Sequence, residues 1–163
     1  MPKEITKKED ATLKEAQKWA KGIWNKAEKP WETRVQDHNY RDLLARPAVE
    51  NSLRKFLPIK SGVFLDVGCG EGIETGHLKK FLLKQNYGGV FYGFDQQKGL
   101  IKIAKAKENK SNRIKSFFDY GLTNRLISKH RLGEKVDIIF SNFLLQEVSD
   151  IDDHFRTMAH CMK

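Results

Sequence analysis

Three glycines and one carboxylate stand close together at a point where a ligand could meet the backbone. Gly68, Gly70 and Gly72 occupy alternate positions, and Asp66 lies in the apolar run just before them. Glycine has no Cβ, so such a loop can turn sharply and let a ligand approach its main chain. A dinucleotide fingerprint needs its third glycine at position 73, which is Ile73 here. The spacing therefore argues against NAD or FAD.

Carboxylates around this loop favour a positively charged ligand that contains adenosine. Asp66, two residues before the first glycine, disfavours a pyrophosphate and suits a cation. Asp95 lies 27 residues after Gly68, and a carboxylate there can accept hydrogen bonds from both hydroxyls of a ribose. Asp119, preceded by Phe118, can accept from the amino group of adenine while apolar atoms cover the ring. S-adenosylmethionine meets these requirements, since it carries a sulfonium and an ammonium and no phosphate.

The elements that must position these residues are strands alternating with helices. Apolar runs predict four strands, each with a polar residue at or near its end: Val63–Val67, Val90–Phe94, Ile114–Phe118 and Val136–Phe140, with Asp66, Asp95, Asp119 and Asn142. Apolar residues at helical spacing predict helices at Ile73–Leu82, Leu100–Lys107 and Asp150–Lys163. This alternation predicts an α/β fold, a Rossmann-like, doubly wound and mostly parallel sheet. Ligands of such sheets bind at the carboxyl ends of the strands.

The residues before the first strand predict a helical segment of their own. Thr12–Glu28 begins with a capping box, and a second helix is expected over Pro47–Leu57, with proline in its first turn. Three tryptophans precede that second helix; they are Trp19, Trp24 and Trp31. They would either line a substrate pocket or pack the helices onto the sheet. We therefore divide the chain into a helical lid, 1–58, and a ligand-binding domain, 59–163.

Four segments, in chain order, resemble the motifs of class I S-adenosylmethionine-dependent methyltransferases. They are FLDVGCGEG from Phe64, FYGFD up to Asp95, FFD up to Asp119 and VDIIFSNFLLQEV from Val136. The resemblance implies that the glycine loop contacts the methionine part of the cofactor, that the second segment holds the ribose and the third the adenine. It also implies that the backbone near Asn142 lies beside the transferred methyl group. The cofactor-binding residues expected from it are Asp66, Gly68, Cys69, Gly70, Asp95, Gln96, Asp119, Tyr120 and Asn142.

The sequence departs from this family in its C-terminal part. Family members continue with a fifth strand and an antiparallel pair, and no such segments follow Val136–Phe140 here. We therefore expect an incomplete, C-terminally truncated domain whose fourth strand is an edge open to self-association or to a partner chain. Ser141–Leu144 stands where amino-group methyltransferases acting on adenine or glutamine often carry Asn-Pro-Pro-Tyr. The prolines and the tyrosine are absent, which argues against that substrate class.

The distribution of charge leaves more than one function open. The net charge is +9, and the stretch from Lys98 to Arg131 holds ten Lys or Arg against Glu108 and Asp119, a balance of +8. Such a stretch can bind RNA or can be a solvated surface, and its few aromatic residues weaken the RNA interpretation. We predict methyl transfer from S-adenosylmethionine to a small molecule, with S-adenosylhomocysteine as product. The alternatives are an RNA methyltransferase and a non-catalytic partner subunit.

Other classes are disfavoured by composition. No apolar run approaches the length of a membrane span. The two cysteines, Cys69 and Cys161, have neither a disulfide framework nor the spacing of a metal site, so we expect a cytoplasmic protein without a metal. No catalytic base is assigned, because methyl transfer depends mainly on aligning the nucleophile, the methyl group and the sulfur.

Overall fold

A computed structural model gives the three-dimensional structure of the chain. It describes residues 45–57, 60–108, 111–121, 123–141, 148 and 150–163. The predicted helix Thr12–Glu28, the three tryptophans and Asn142 lie outside these residues. Among the described helices, none is long and apolar enough to cross a membrane.

Helices and strands alternate along the described part of the chain. In order they are α1 (Arg46–Phe56), β1 (Ser61–Val67), α2 (Ile73–Lys84), β2 (Gly88–Asp95), α3 (Lys98–Lys107), β3 (Ile114–Tyr120), α4 (Thr123–His130), β4 (Ile138–Phe140) and α5 (Ile151–Cys161). The four predicted strands and the α/β fold class are confirmed. Helix α4 was not expected from the sequence.

The four described strands form one parallel sheet in the order β3-β2-β1-β4. Phe64 of β1 lies opposite Phe91 of β2 on one side and Ile138 of β4 on the other. The chain therefore reverses its winding direction between β1 and β4. In open α/β sheets this reversal opens a crevice at the carboxyl ends of the strands, where the glycine loop begins.

Helices cover both faces of the sheet. On one face, α2 packs its Leu78, Phe81 and Leu82 against Phe64 and Phe91, whose rings stack with centroids 4.8 Å apart. On the other face, α4 and α5 pack against β1 and β2 through a second apolar cluster; its buried members are Leu65, Val67, Phe94, Leu126, Ile127, Leu132, Val136, Met158 and Cys161. This double cover holds the strand ends in fixed relative positions.

Helix α1 lies along α2, and its contacts follow one another about a helical turn apart. Three side-chain pairs repeat at about one-turn intervals: Arg46 with Glu74, Glu50 with His77, and Arg54 with Phe81. The Arg46 guanidinium is 3.0 Å from Oε1 of Glu74, and Leu53 is buried in the core below. The helix predicted over Pro47–Leu57 is thus present, and it is fixed to the helix that follows the glycine loop.

The C-terminal elements are shorter than the sequence suggests. Val136 does not belong to β4 but forms a parallel bridge with Met162, donating from its N–H to the carbonyl of Cys161 at 2.8 Å. Helix α5 ends at Cys161 because Met162 is extended beside Val136, and the N–H of Lys163 donates to the carbonyl of Val136. The expected self-association at the edge of β4 stays a prediction.

Candidate functional site

The glycine loop is fastened to the end of the neighbouring strand β2. The N–H groups of Gly68 and Cys69 both donate to the carbonyl of Phe94, at 2.8 and 3.1 Å. The N–H of Gly70, the next donor along the loop, donates to Oδ2 of Asp95 at 2.9 Å. The structure therefore joins the loop and the carboxylate that the sequence only predicted to be close.

The glycines of this loop serve two different purposes. A Cβ on Gly72 would meet Cβ of Ala104 at 3.1 Å and Cζ of Phe118 at 3.2 Å, so close packing excludes a side chain there. A Cβ on Gly70 would meet nothing within 4 Å. Both residues have positive φ, which favours glycine. Gly70 is thus the glycine with open space beside it, as a ligand approaching the main chain requires.

Asp95 is held by backbone amides and keeps accepting capacity. Oδ2 accepts from Gly70 and Oδ1 accepts from the N–H of Gln97 at 2.7 Å. Burial raises the pKa of Asp95, although hydrogen bonds from the backbone of Gln97, Gly70 and Gln96 act to lower it. A carboxylate offers about four acceptor directions, so Asp95 keeps some capacity to accept from a ligand.

Asp66 lies beneath the loop and is almost fully buried. It is 3% exposed, and the hydroxyl of Thr75 donates to its Oδ2 at 2.5 Å. Burial raises the pKa of Asp66 to about 7; the Thr75 hydrogen bond lowers it, and the charges of Glu74 and Asp95 raise it further. A cation arriving beside this carboxyl group would favour its ionised form.

Asp119 at the end of β3 has a different environment. Its Oδ2 is 2.5 Å from Nζ of Lys129 and 3.1 Å from Nε2 of His130, both in the last turn of α4. Its Oδ1 accepts from the N–H of Tyr120. Burial alone would raise the pKa of Asp119, but the hydrogen bonds from Lys129, His130 and Tyr120 outweigh it and the pKa is lowered.

Tyr120 is the last residue of β3 and lies at the same edge of the sheet as Asp119. It lies opposite Asp95 in the ladder between β2 and β3, and its ring is about half exposed. The ammonium of Lys98 is 5.4 Å from the ring centroid. Gln96 follows Asp95 and is exposed, while the Cys69 side chain is buried with its pKa raised by that burial. Cys69 thus offers its backbone rather than its thiol to a ligand.

The sequence that forms this site matches a known protein family. A family model described as a methyltransferase domain matches residues 65–163, which is more than half of the chain. The chain belongs to this methyltransferase domain family. A search of curated proteins finds no match.

Solved structures share the fold of this methyltransferase domain. An S-adenosylmethionine-dependent methyltransferase from Mesorhizobium loti is 22% identical with a TM-score of 0.50, over 69% of this chain and 48% of its own. One from Aquifex aeolicus is 22% identical with a TM-score of 0.56, over 82% and 67%. The plantazolicin methyltransferase BamL, in complex with a triazolic desmethylPZN analog and SAH, is 18% identical with a TM-score of 0.59, over 98% and 57%.

These matches confirm the predicted class I methyltransferase fold. The chain spans roughly half to two thirds of the length of these solved structures. Eight of the nine residues expected from the sequence lie at the carboxyl edge of β1, β2 and β3 or in the loops that follow. The ninth, Asn142, lies outside the described residues. Within the described part of the chain, no group of His, Cys, Asp or Glu has the arrangement of a metal site.

Several residues of the candidate site were not predicted. Thr75 holds Asp66, and the backbone of Gln97 holds Asp95. Glu71, between two of the glycines, is buried and pairs with Lys107 at the end of α3. Glu71 could have been noticed in the sequence as a polar side chain inside the glycine motif. Its partner Lys107 is 36 residues away, and no local pattern indicates that pairing.

Proposed function

We propose that this methyltransferase domain binds S-adenosylmethionine at the carboxyl ends of β1, β2 and β3 and transfers its methyl group to a small organic acceptor. The observation that carries the proposal is the junction of Gly70 and Asp95. An open main-chain position lies beside a half-buried carboxylate whose hydrogen bonds come from backbone amides. S-adenosylhomocysteine would be the product. Cys69 and Cys161 are buried free thiols, which supports a reducing, cytoplasmic setting.

Each residue of the site has one role in this proposal. When bound, S-adenosylmethionine supplies a methyl group on a sulfonium, which is a good leaving group. The backbone from Gly68 through Cys69 to Gly70 binds the methionine part, and Asp66 offers negative charge to the ammonium. Asp95 accepts from the ribose hydroxyls, with Gln96 beside it. The remaining residues are Asp119 and Tyr120 on the adenine side and Asn142 beside the methyl group.

A small acceptor is supported by the position of α1. The three contacts with α2 fix α1 next to the helix that starts at the glycine loop. We propose that residues 1–58 form a lid and that the tryptophans within it supply apolar walls, which suit a small organic molecule. BamL, which matches almost the whole chain, was solved with a heterocyclic ligand analog and SAH, and this agrees with the proposal.

Calorimetry with S-adenosylhomocysteine tests the cofactor site directly. We expect the wild type to bind, and deletion of residues 1–40 to abolish transfer while cofactor binding largely survives. Charge reversal at Lys102 and Lys105 serves as the matched control on the basic surface and should leave turnover unchanged. A wild type that does not bind S-adenosylhomocysteine, yet forms a stable complex with another chain, would instead support a non-catalytic subunit.

An RNA acceptor is the second candidate, because the structure shows aromatic rings on the basic surface. Phe117 and Tyr120 of β3 are 46% and 49% exposed. Lys115, on the same strand and on the same side of it as Phe117, is also exposed. Base stacking on aromatic rings flanked by lysines is a common mode of binding single-stranded RNA. Binding of an RNA oligonucleotide that weakens steeply with salt, together with loss of turnover on charge reversal, would favour this acceptor.

A further inference from the structure

We propose that Lys107 is a positioning residue for the glycine loop. It holds the carboxylate of Glu71 and thereby fixes the backbone at Gly70 for the methionine part of the cofactor. This inference rests on the proposed function, and it adds an anchor from outside the strand ends.

Glu71 is a buried charge inside the loop. It lies between Gly70 and Gly72 and is 5% exposed. Its Oε2 pairs with Nζ of Lys107, and its Oε1 has no hydrogen-bond partner among the described residues. A buried carboxylate is costly unless a cation compensates it. The loop conformation that buries Glu71 therefore depends on Lys107.

Lys107 is well placed to transmit the position of α3 to the loop. It is the last residue of α3, and this helix is fixed on the sheet by Ile101 and Ala104, which pack with Phe118. The same Ala104 lies directly against the Cα of Gly72. The loop thus has two supports. The end of β2 binds Gly68 to Gly70, and α3 binds the residue that follows.

The two partners differ in their access to water, and this makes the pair asymmetric. The side chain of Lys107 is 51% exposed, whereas that of Glu71 is 5% exposed. Without Glu71, Lys107 can be solvated. Without Lys107, Glu71 is left as a buried carboxylate with neither oxygen paired among the described residues, and the loop must rearrange to expose it. Removing the lysine should therefore do more harm than neutralising the glutamate.

Calorimetry with two ligands separates loop geometry from general stability. S-adenosylhomocysteine carries the amino-acid part that the loop would bind, and 5′-methylthioadenosine lacks it. We expect Lys107→Met to weaken S-adenosylhomocysteine about tenfold and 5′-methylthioadenosine less than about twofold. Lys107→Arg should bind both like the wild type. Lys105→Met, which removes a charge from the same helix, is the control and should change neither affinity.

The double variant tests the asymmetry. Glu71→Gln should weaken the binding of S-adenosylhomocysteine only slightly. The double variant Glu71→Gln with Lys107→Met should have the same affinity as Glu71→Gln alone, because no buried charge remains. Thermal melting checks that each variant is folded; if Lys107→Met is not, Lys107→Gln replaces it and should show a smaller selective loss.

Wild-type affinity in the lysine variant, or equal losses for both ligands without recovery in the double variant, would overturn the inference. Such a result would leave the proposed function standing. A wild type that fails to bind S-adenosylhomocysteine would contradict both.

Discussion

The carboxylates at the ends of β1 and β2 and the carboxylate at the end of β3 are held in opposite ways. Asp95 is held by backbone amides and Asp66 by one hydroxyl, and burial raises the pKa of each. Asp119 is held by Lys129 and His130, and its pKa is lowered. The three residues are of one type and lie at one edge of the same sheet.

The difference shows which carboxylates have a charge that no protein cation balances and that a ligand could therefore pair with. The charge of Asp119 is already balanced by the ammonium of Lys129, and this pair joins the end of β3 to the last turn of α4. Among the described residues, no cationic side chain donates a hydrogen bond to Asp66 or Asp95, so a positively charged, hydroxyl-bearing ligand would complete their environment. We therefore expect ligand binding to depend on the first two strand ends and local stability to depend on the third.

The largest effect is expected at Asp66, in the stability of the ligand-free protein. Its pKa is about 7 in the folded state against 3.8 for the ordinary group. The unfolded chain loses this proton first, so the free energy of unfolding falls as pH rises from about 4 to about 7. The fall is at most about 4 kcal/mol, since one unit corresponds to about 1.4 kcal/mol. Urea denaturation of the wild type and Asp66→Asn across this range measures it.

The Asp66 experiment has an internal control in Thr75. Thr75→Val removes the hydrogen bond that lowers the pKa of Asp66, so the decline in stability should extend to higher pH. If the difference between wild type and Asp66→Asn did not change with pH, the protonated buried carboxyl group would be ruled out.

The next largest effect is expected at Asp95, in cofactor affinity. Asp95→Ala should weaken S-adenosylhomocysteine by about 1.5–3 kcal/mol, or roughly ten- to more than a hundredfold, because hydrogen bonds to a charged acceptor are lost. Asp152→Ala, an exposed carboxylate in the first turn of α5, is the control. Equal affinities in calorimetry would remove Asp95 from the ribose role.

The smallest effect is expected at Asp119. Asp119→Ala should weaken S-adenosylhomocysteine about threefold, and it should cost about 0.5–1 kcal/mol of stability because the Lys129 partner is largely exposed. Since the pKa is lowered, this stability is present above the ordinary pKa and is lost on acidification, the reverse of Asp66. A loss of affinity as large as that of Asp95→Ala would break the contrast between the strand ends.

The sequence predicted the periodic parts of the molecule and the motifs on their ends. Strands β1 to β3 and the glycine loop follow from apolar runs and local spacing. Helix α4 escaped prediction because it has only Leu126 and Ile127 buried within a basic stretch. Val136 was assigned to β4 because it is apolar, but its backbone groups pair with Cys161, the last residue of α5, and with Lys163. Only the folded chain shows such distant partners.

The same limit explains what was missed in the site. Lys107 and Lys129 were counted as members of one basic surface. The structure gives each a specific carboxylate, Glu71 in the glycine loop and Asp119 at the end of β3. The net charge of a stretch does not reveal which of its members are paired, because pairing depends on packing between helices and strands.

The contacts between α1 and α2 have a consequence for how α1 can move along α2. Their spacing matches in one register only. A slide of one turn in one direction would set Glu50 opposite Glu74, and a slide in the other would set Arg54 opposite Lys84. Both steps bring like charges together. Helix α1 thus has one preferred register on α2, and sliding by one turn in either direction is disfavoured.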